Sequence, residues 1–191
     1  MNDPIARFLQ IYERAEKEDP GEHTRVALAT TDTNGRPSVR MVLLRGIDER
    51  GFVFFTNYSS RKAREIEANP QAALCFYWES IKEQVRVEGI VKRTDNDESD
   101  IYFTSRERGS QLAAWASKQS SALESRAELL AAYDKAKVRF SEGAVPRPDF
   151  WGGFRLHPER IEFWSNKTHR MHDRVVFVYK DDTWAKKRLY P

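Results

Sequence analysis

The chain reads as an α+β protein, a small antiparallel barrel with helices inserted between its strands. Strand-length apolar runs recur between residues 25 and 91, Gly, Asn and Pro turns separate them, and helical periodicity is confined to the start, one short crossing and a long middle stretch. Asp3-Pro4 reads as a helix start ahead of a stripe of Ile5, Phe8, Leu9, Ile11 and Tyr12, so a helix is expected over 5–17. Residues 25–30 form the first strand, Asp32-Thr33-Asn34-Gly35 is a hairpin-type turn, and 38–45 return as its partner. A turn at 48–51 leads into a third strand, 52–56. A helix from Arg61 is stopped by Asn69-Pro70; then 72–78 run as a buried strand and 83–91 alternate beside it. Residues 97–140 are helical with breaks near Gly109 and at 118–121, 142–149 are a Pro-containing loop, and 160–164 with 175–179 close the chain as a hairpin. The chain has no internal repeat.

At 191 residues the chain is long enough for one well-buried domain, expected over 1–191 with an N-terminal helix at 1–18, a helical insertion at 97–140 and a C-terminal hairpin region at 150–191. Lys plus Arg total 32 against 29 for Asp plus Glu, a net +3. The charges are interspersed, which argues against a nucleic-acid partner. The single Cys75 excludes an internal disulfide, fits a reducing compartment and is expected in the core. Neither a signal-like start nor an apolar run of membrane-crossing length is present, so a soluble, cytoplasmic protein without a membrane partner is expected. Aromatic residues make up 12%, enough to line a ring-binding pocket as well as the core.

Two basic, hydroxyl-bearing clusters suggest two phosphorylated molecules bound at once. In the first, Thr56 ends a strand, Asn57-Tyr58-Ser59-Ser60 turns, and Arg61 and Lys62 open a helix, whose unpaired N–H groups form an anion seat. In the second, Tyr102, Arg106 and Ser110 are four residues apart, one face of a helix, with Gly109 allowing close backbone approach. Taken singly, each reads first as a capped or solvated surface helix, and it is the two together that point to phosphate seats. The densest chemistry is His169-Arg170-Met171-His172-Asp173-Arg174; if extended, Arg170, His172 and Arg174 share one side and His169 faces the other. That splits the two histidines, and no Cys or carboxylate cluster completes a set, so no metal site is expected. A charged strand edge would look the same.

In sequence order, Arg40-Met41-Val42-Leu43-Leu44-Arg45, Phe54-Phe55-Thr56-Asn57, Ser60-Arg61-Lys62-Ala63, the 84–89 run from Gln84 to Gly89, the Tyr102, Arg106, Ser110 set, Ser117-Lys118-Gln119-Ser120, Phe150-Trp151-Gly152-Gly153, Glu162-Phe163-Trp164 and Arg170-Met171-His172-Asp173-Arg174 resemble the pyridoxamine 5′-phosphate oxidase family. The resemblance runs from residue 25 to the closing Arg188-Leu189-Tyr190-Pro191. It implies a split β-barrel FMN-binding fold, an antiparallel Greek-key barrel with inserted helices, and a homodimer built through the C-terminal hairpin region. The cofactor implied is FMN, the substrates pyridoxamine and pyridoxine 5′-phosphate, and the electron acceptor dioxygen.

By the same resemblance, the segment from Arg40 through Met41, Val42, Leu43 and Leu44 to Arg45 runs beside the flavin ring, and Phe55, Thr56, Arg61 and Lys62 hold the cofactor. Gln84, Gln119, Ser120, Trp164 and Arg174 complete its site, some from a second subunit. Arg45, Tyr102, Arg106 and Ser110 take the substrate phosphate, while Arg170 clamps the substrate and His172 orients or exchanges a proton with the reacting group. The chemistry implied is hydride transfer from the carbon bearing the amine or alcohol to flavin N5, hydrolysis of the imine to the aldehyde, and release of hydrogen peroxide. Arg45 stands where the family usually has Lys, a planar fork in place of a point charge. Members often carry a longer N-terminal arm with Arg and Tyr; with the opening Met1-Asn2-Asp3-Pro4, that lid is expected to be absent or replaced. The competing readings are an oxidase for a non-phosphorylated aromatic, which would not need the second phosphate set, a non-catalytic flavin-binding barrel, which would not need Arg170 and His172, and a nucleic-acid-binding barrel.

Overall fold

The computed structural model describes residues 3–19, 21 and 23–191. Helix α1 (Pro4–Glu18) starts on Asp3, whose carboxylate accepts the N–H groups of Ile5 and Ala6. Its apolar stripe buries Ile5, Phe8, Ile11 and Ala15. Phe8 reaches the barrel core edge-on to Phe52 and Phe76, with ring centroids 4.9 and 5.0 Å away. Residues 1 and 2 of the expected N-terminal helix lie outside the described residues.

Nine strands form one antiparallel sheet: β1 (Arg25–Thr31), β2 (Pro37–Leu43), β3 (Gly46–Asp48), β4 (Gly51–Asn57), β5 (Gln71–Trp78), β6 (Glu83–Arg93), β7 (Trp151–Ser165), β8 (Asp173–Lys180) and β9 (Thr183–Leu189). Neighbours run β2-β1-β5-β6-β7-β4-β3, with β8 pairing β7 and β9 pairing β8. The sheet curls until the chain leaving β2 bonds to β4, the Arg45 N–H donating to the Val53 carbonyl at 2.8 Å. Alternation directs Leu28, Phe54, Phe76, Val85, Val87, Phe154 and Phe163 inward, each 1% exposed or less. Every such side chain contributes about 1.5–3 kcal/mol of burial. The split-barrel fold read from the sequence is the fold observed.

Helix α2 (Arg61–Ala68) crosses between β4 and β5, and α3 (Asn96–Ser105), α4 (Arg108–Ala116) and α5 (Arg126–Arg139) fill the middle of the chain. They enclose a second apolar cluster of Phe103, Leu112, Ala114, Ala136, Val145 and Trp151, against which Phe55 and Tyr102 pack.

Several expectations need correction. β7 spans 15 residues, not 160–164 alone. Gly152, Gly153 and Pro158 disguise it, yet the glycines are what the strand requires: a Cβ at Gly152 would overlap the Tyr58 hydroxyl, and one at Gly153 the Thr94 hydroxyl. β9 was not anticipated because Lys186, Lys187 and Arg188 break its apolar pattern, the charge expected of an exposed outer strand. The short β3 occupies the stretch between the expected strand 38–45 and the expected turn 48–51, sharing only Asp48 with the turn. Cys75 is half-buried, not core: Leu74 and Phe76 point inward and Cys75 points to the other face. The helical section breaks at Arg106–Glu107, three residues before Gly109, so Tyr102, Arg106 and Ser110 do not lie on one helix. Residues 170–174 are not a continuous strand either: Thr168–Arg170 is a single 3₁₀ turn with His169 and Arg170 at φ 55° and 60°, and β8 starts only at Asp173.

Candidate active site

β2, β4, α2, α3 and the loop after α4 surround a cavity of about 680 Å³. Arg40, Met41, Val42, Leu43 and Arg45 form one wall, Phe55 and Thr56 the floor, and Lys62, Gln119, Tyr102, Arg106 and Ser110 the rest. Both clusters singled out in the sequence therefore open into the same space. Tyr102 stacks on Phe55 at 4.0 Å and Phe55 on Trp151 at 5.6 Å, giving one side a flat aromatic wall.

At one end sits Lys62, only 9% exposed. Ser60 caps α2 by accepting the Ala63 N–H, which turns the first helical residues toward the cavity. The Lys62 ammonium donates to Gln119 Oε1 at 2.7 Å and to Thr56 Oγ1 at 3.1 Å, and Thr56 in turn donates to the same Gln119 oxygen. No carboxylate lies within ion-pairing distance of it among the described residues. Burial, reinforced by the charge of Arg40, pulls this amine down to about 8. A buried cation held by neutral groups is a seat for an anion.

Arg106 occupies the other end. It caps α3 in extended conformation (φ −73°, ψ 149°) and lies over the Trp151 ring at 4.7 Å. Its Nη1 is buried without a hydrogen-bond partner, and burial lowers its pKa, with Arg45 adding repulsion. Ser110 reaches the same cavity from the first turn of α4. The break between helices thus brings Tyr102, Arg106 and Ser110 together, where the expected helical stripe does not exist. Trp151, Ser105 and Glu107 also line the cavity; Trp151 stood in the 150–153 motif and Ser105 in the Tyr102-to-Ser110 motif, whereas Glu107 stood in none.

Arg40 and Arg61 converge on Glu65, a residue that stands in no local motif. Glu65 accepts from Thr30 (2.5 Å), Ser38 (2.6 Å), Arg61 (2.7 Å) and Arg40 (3.2 Å). Burial opposes its ionisation, but the Ser38, Thr30 and Arg61 hydrogen bonds prevail and bring the carboxyl from 4.5 down to about 2. A folded-state value below the unfolded one stabilises fully above the unfolded value and is lost as pH falls toward the folded one. Thermal unfolding of the unliganded protein is therefore expected to shift downward as pH drops from about 4.5 toward 2, and a Glu65→Gln variant should lack this component of the acid dependence. Arg61, largely exposed and tied to Glu65, is not a cavity wall, nor is Leu44, a core residue 4% exposed.

The remaining sequence-derived residues gather elsewhere. Gln84 faces Trp164 across β6 and β7, and Trp164 faces Arg174 across β7 and β8, so the three form one row on one face of the sheet. Arg174 donates to Glu162 at 2.8 Å; that carboxylate, 2% exposed, also holds Arg86 at 3.0 Å and Arg160 at 3.3 Å. His172 packs on Trp164 at 4.6 Å, and Arg170 is exposed on the preceding turn. None of these lines the cavity; Ser120 (φ 70°) faces a neighbouring pocket against α5. Among the described residues no group of three His, Cys, Asp or Glu could hold a metal, and no helix is long and apolar enough to cross a membrane.

Among solved structures, PhzG from Burkholderia lata 383, in complex with tetrahydrophenazine-1-carboxylic acid, superposes with a TM-score of 0.94 at 29% identity, covering 100% of this chain and 94% of that one. A pyridoxamine 5′-phosphate oxidase-related, FMN binding protein from Nostoc punctiforme shares the fold at TM-score 0.76 and 18% identity, covering 95% and 96%. The architecture is thus that of the split-barrel flavin-binding proteins. Residues 13–140 match the family described as pyridoxamine 5′-phosphate oxidase, and residues 151–191 match the pyridoxine 5′-phosphate oxidase C-terminal dimerisation region. Pyridoxine/pyridoxamine 5′-phosphate oxidases from Rubrobacter xylanophilus and Anaeromyxobacter dehalogenans are each 52% identical over 99% of this chain, and 87% and 96% of their own lengths. The chain belongs to the pyridoxamine 5′-phosphate oxidase family.

Proposed function

We propose that the protein oxidises pyridoxamine 5′-phosphate and pyridoxine 5′-phosphate to pyridoxal 5′-phosphate, using FMN, with dioxygen as acceptor and hydrogen peroxide as product. The observation that carries this reading is a single cavity with two cations, the buried Lys62 and the half-buried Arg106, neither ion-paired among the described residues and the second with a buried, orphaned N–H. Two phosphate esters satisfy both at once. FMN fits the Lys62 end, where Thr56, Gln119 and Lys62 supply donors for its phosphate and the 40–45 segment offers a wall for its ring. When bound, FMN supplies the ring that accepts hydride and passes the electrons to dioxygen. Arg106, Tyr102 and Ser110, with Arg45, anchor the substrate phosphate, which fixes the far end of the ring and so the placement of its reacting carbon.

Gln84, Trp164, Arg174, Arg170 and His172 lie outside this cavity, and residues 151–191 match a dimerisation region. In the proposed homodimer this row completes the cavity of the other copy. The partner would also cover the exposed Val39, Met41 and Leu43 on β2. Arg170 then lies against the substrate. Arg170→Ala is expected to retain FMN and lose roughly tenfold in kcat/KM, the worth of one charge-assisted hydrogen bond at an exposed side chain; unchanged turnover would remove Arg170 from the site.

The likeness to PhzG favours a second reading, an oxidase for another aromatic substrate. Oxygen-consumption assays with both vitamers and their dephosphorylated forms separate the two. Strong preference for the phosphorylated pair supports the proposal, and indifference to the phosphate refutes it.

A further inference from the structure

We propose that His172 acts as a neutral hydrogen-bond donor through Nε2, not as a base, because the turn that carries it fixes the ring proton on that nitrogen. The inference rests on the proposed function, in which His172 belongs to the group that completes the other copy's cavity. The backbone N–H of Lys167 points at His172 Nδ1, 3.2 Å away. A peptide N–H can only donate, so Nδ1 must present its lone pair, and the single proton of a neutral imidazole is left on Nε2.

This contact depends on an unusual backbone. Five residues of extended chain would separate positions 167 and 172 by ~16 Å. The chain instead reverses through His169 and Arg170, both left-handed, and is pinned by the Met171 N–H donating to the Thr168 carbonyl at 3.1 Å. Trp164 packs on the imidazole at 4.6 Å and 43°, holding its plane. A histidine that serves as a base is commonly oriented by a carboxylate accepting from Nδ1–H. Here the nearby carboxylates are engaged elsewhere: Asp173 by Lys167 and Arg188, both at 3.8 Å, and Glu162 by its three arginines.

The nitrogen left free thus already carries a proton and offers it to a lone pair on the bound molecule. His172 selects substrates presenting a hydrogen-bond acceptor at that edge. Lys167 acts through its backbone, and Trp164 through its ring, as positioning groups.

Nitrogen-15 NMR of the FMN-loaded protein labelled at its four histidines, with His172→Gln used to assign the resonance, tests the proton's position at a pH where the ring is neutral. An unprotonated Nδ1 and a protonated Nε2 are expected, and a proton on Nδ1 overturns the inference. Substitution gives a second readout. The Gln amide places a donor near the Nε2 position and Asn near Nδ1, so His172→Gln should stay within about fivefold of the parent kcat/KM and His172→Asn should fall at least tenfold. The reverse order refutes the donor role. If the FMN-loaded protein oxidises neither vitamer, the proposed function fails, while the NMR result still decides the tautomer.

Discussion

Replacing Lys62 with methionine is expected to weaken FMN binding by roughly a hundredfold or more, about 3 kcal/mol, while the protein remains folded. The ammonium is buried among neutral oxygens of Thr56 and Gln119, so its charge is uncompensated until a phosphate arrives. Methionine fills the same channel without a charge to desolvate, and the unfolding midpoint of the unliganded variant should equal or exceed that of the parent. Flavin fluorescence titration reads the loss, and riboflavin, which lacks the phosphate, should bind both proteins alike. The pH dependence has a definite sign. Phosphate binding needs the protonated amine, so FMN affinity of the parent should fall as pH rises through about 8, and the Lys62→Met variant should show no such step. Since the folded-state value lies below the unfolded 10.5, the unfolded chain holds the extra proton between the two. Stability of the unliganded parent should therefore rise with pH over that interval. Equal weakening of FMN and riboflavin would remove Lys62 from the phosphate seat.

Replacing Arg106 with leucine is expected to raise KM for both phosphorylated vitamers about a hundredfold and to leave FMN affinity unchanged. Leucine keeps apolar contact with Trp151 and Phe103, over which the guanidinium lies at 4.7 and 5.6 Å, so the change removes charge more than packing. It also removes the buried Nη1–H that has no partner in the unliganded protein. Dephosphorylated pyridoxamine, with nothing to give Arg106, should be turned over equally by parent and variant. Lysine at this position should restore only part of the loss, because a point charge cannot supply the planar fork. Steady-state kinetics with the paired substrates measure the difference. A comparable loss on the dephosphorylated substrate would mean that Arg106 supports the fold instead of reading the phosphate.

The residues at both ends of the cavity were legible in sequence because each stands in a local pattern: Lys62 just inside a capped helix, Arg106 between a phenol and a hydroxyl at regular spacing. The backbone that unites the second set was not. A period of four argues for one continuous helix, whereas the chain turns extended at Arg106 and restarts at Arg108. Glu65, and the role of Glu162 within its quoted motif, were illegible for a different reason. Their partners arrive from other strands, Thr30, Ser38 and Arg40 for one and Arg86 and Arg174 for the other, and no local pattern announces such pairing. The reversal at His169 and Arg170 was not legible because Arg has no preference for positive φ, and a lone His, though enriched there, does not announce a turn. Most of the barrel was readable from alternation. β7 was readable only at its far half, since the glycines that let Tyr58 and Thr94 approach also erase the apolar period.

β7 begins at Trp151, beside the cavity, and ends near Trp164, in the row proposed for the other copy. It is bonded to β6 along most of its length, to β4 over its first half and to β8 over its second. Its fifteen residues therefore act as a ruler ~45 Å long, graduated every two residues. Losing a single residue would rotate everything downstream onto the opposite side, so what the chain keeps for itself and what it would lend its twin in the proposed homodimer are set by the same count.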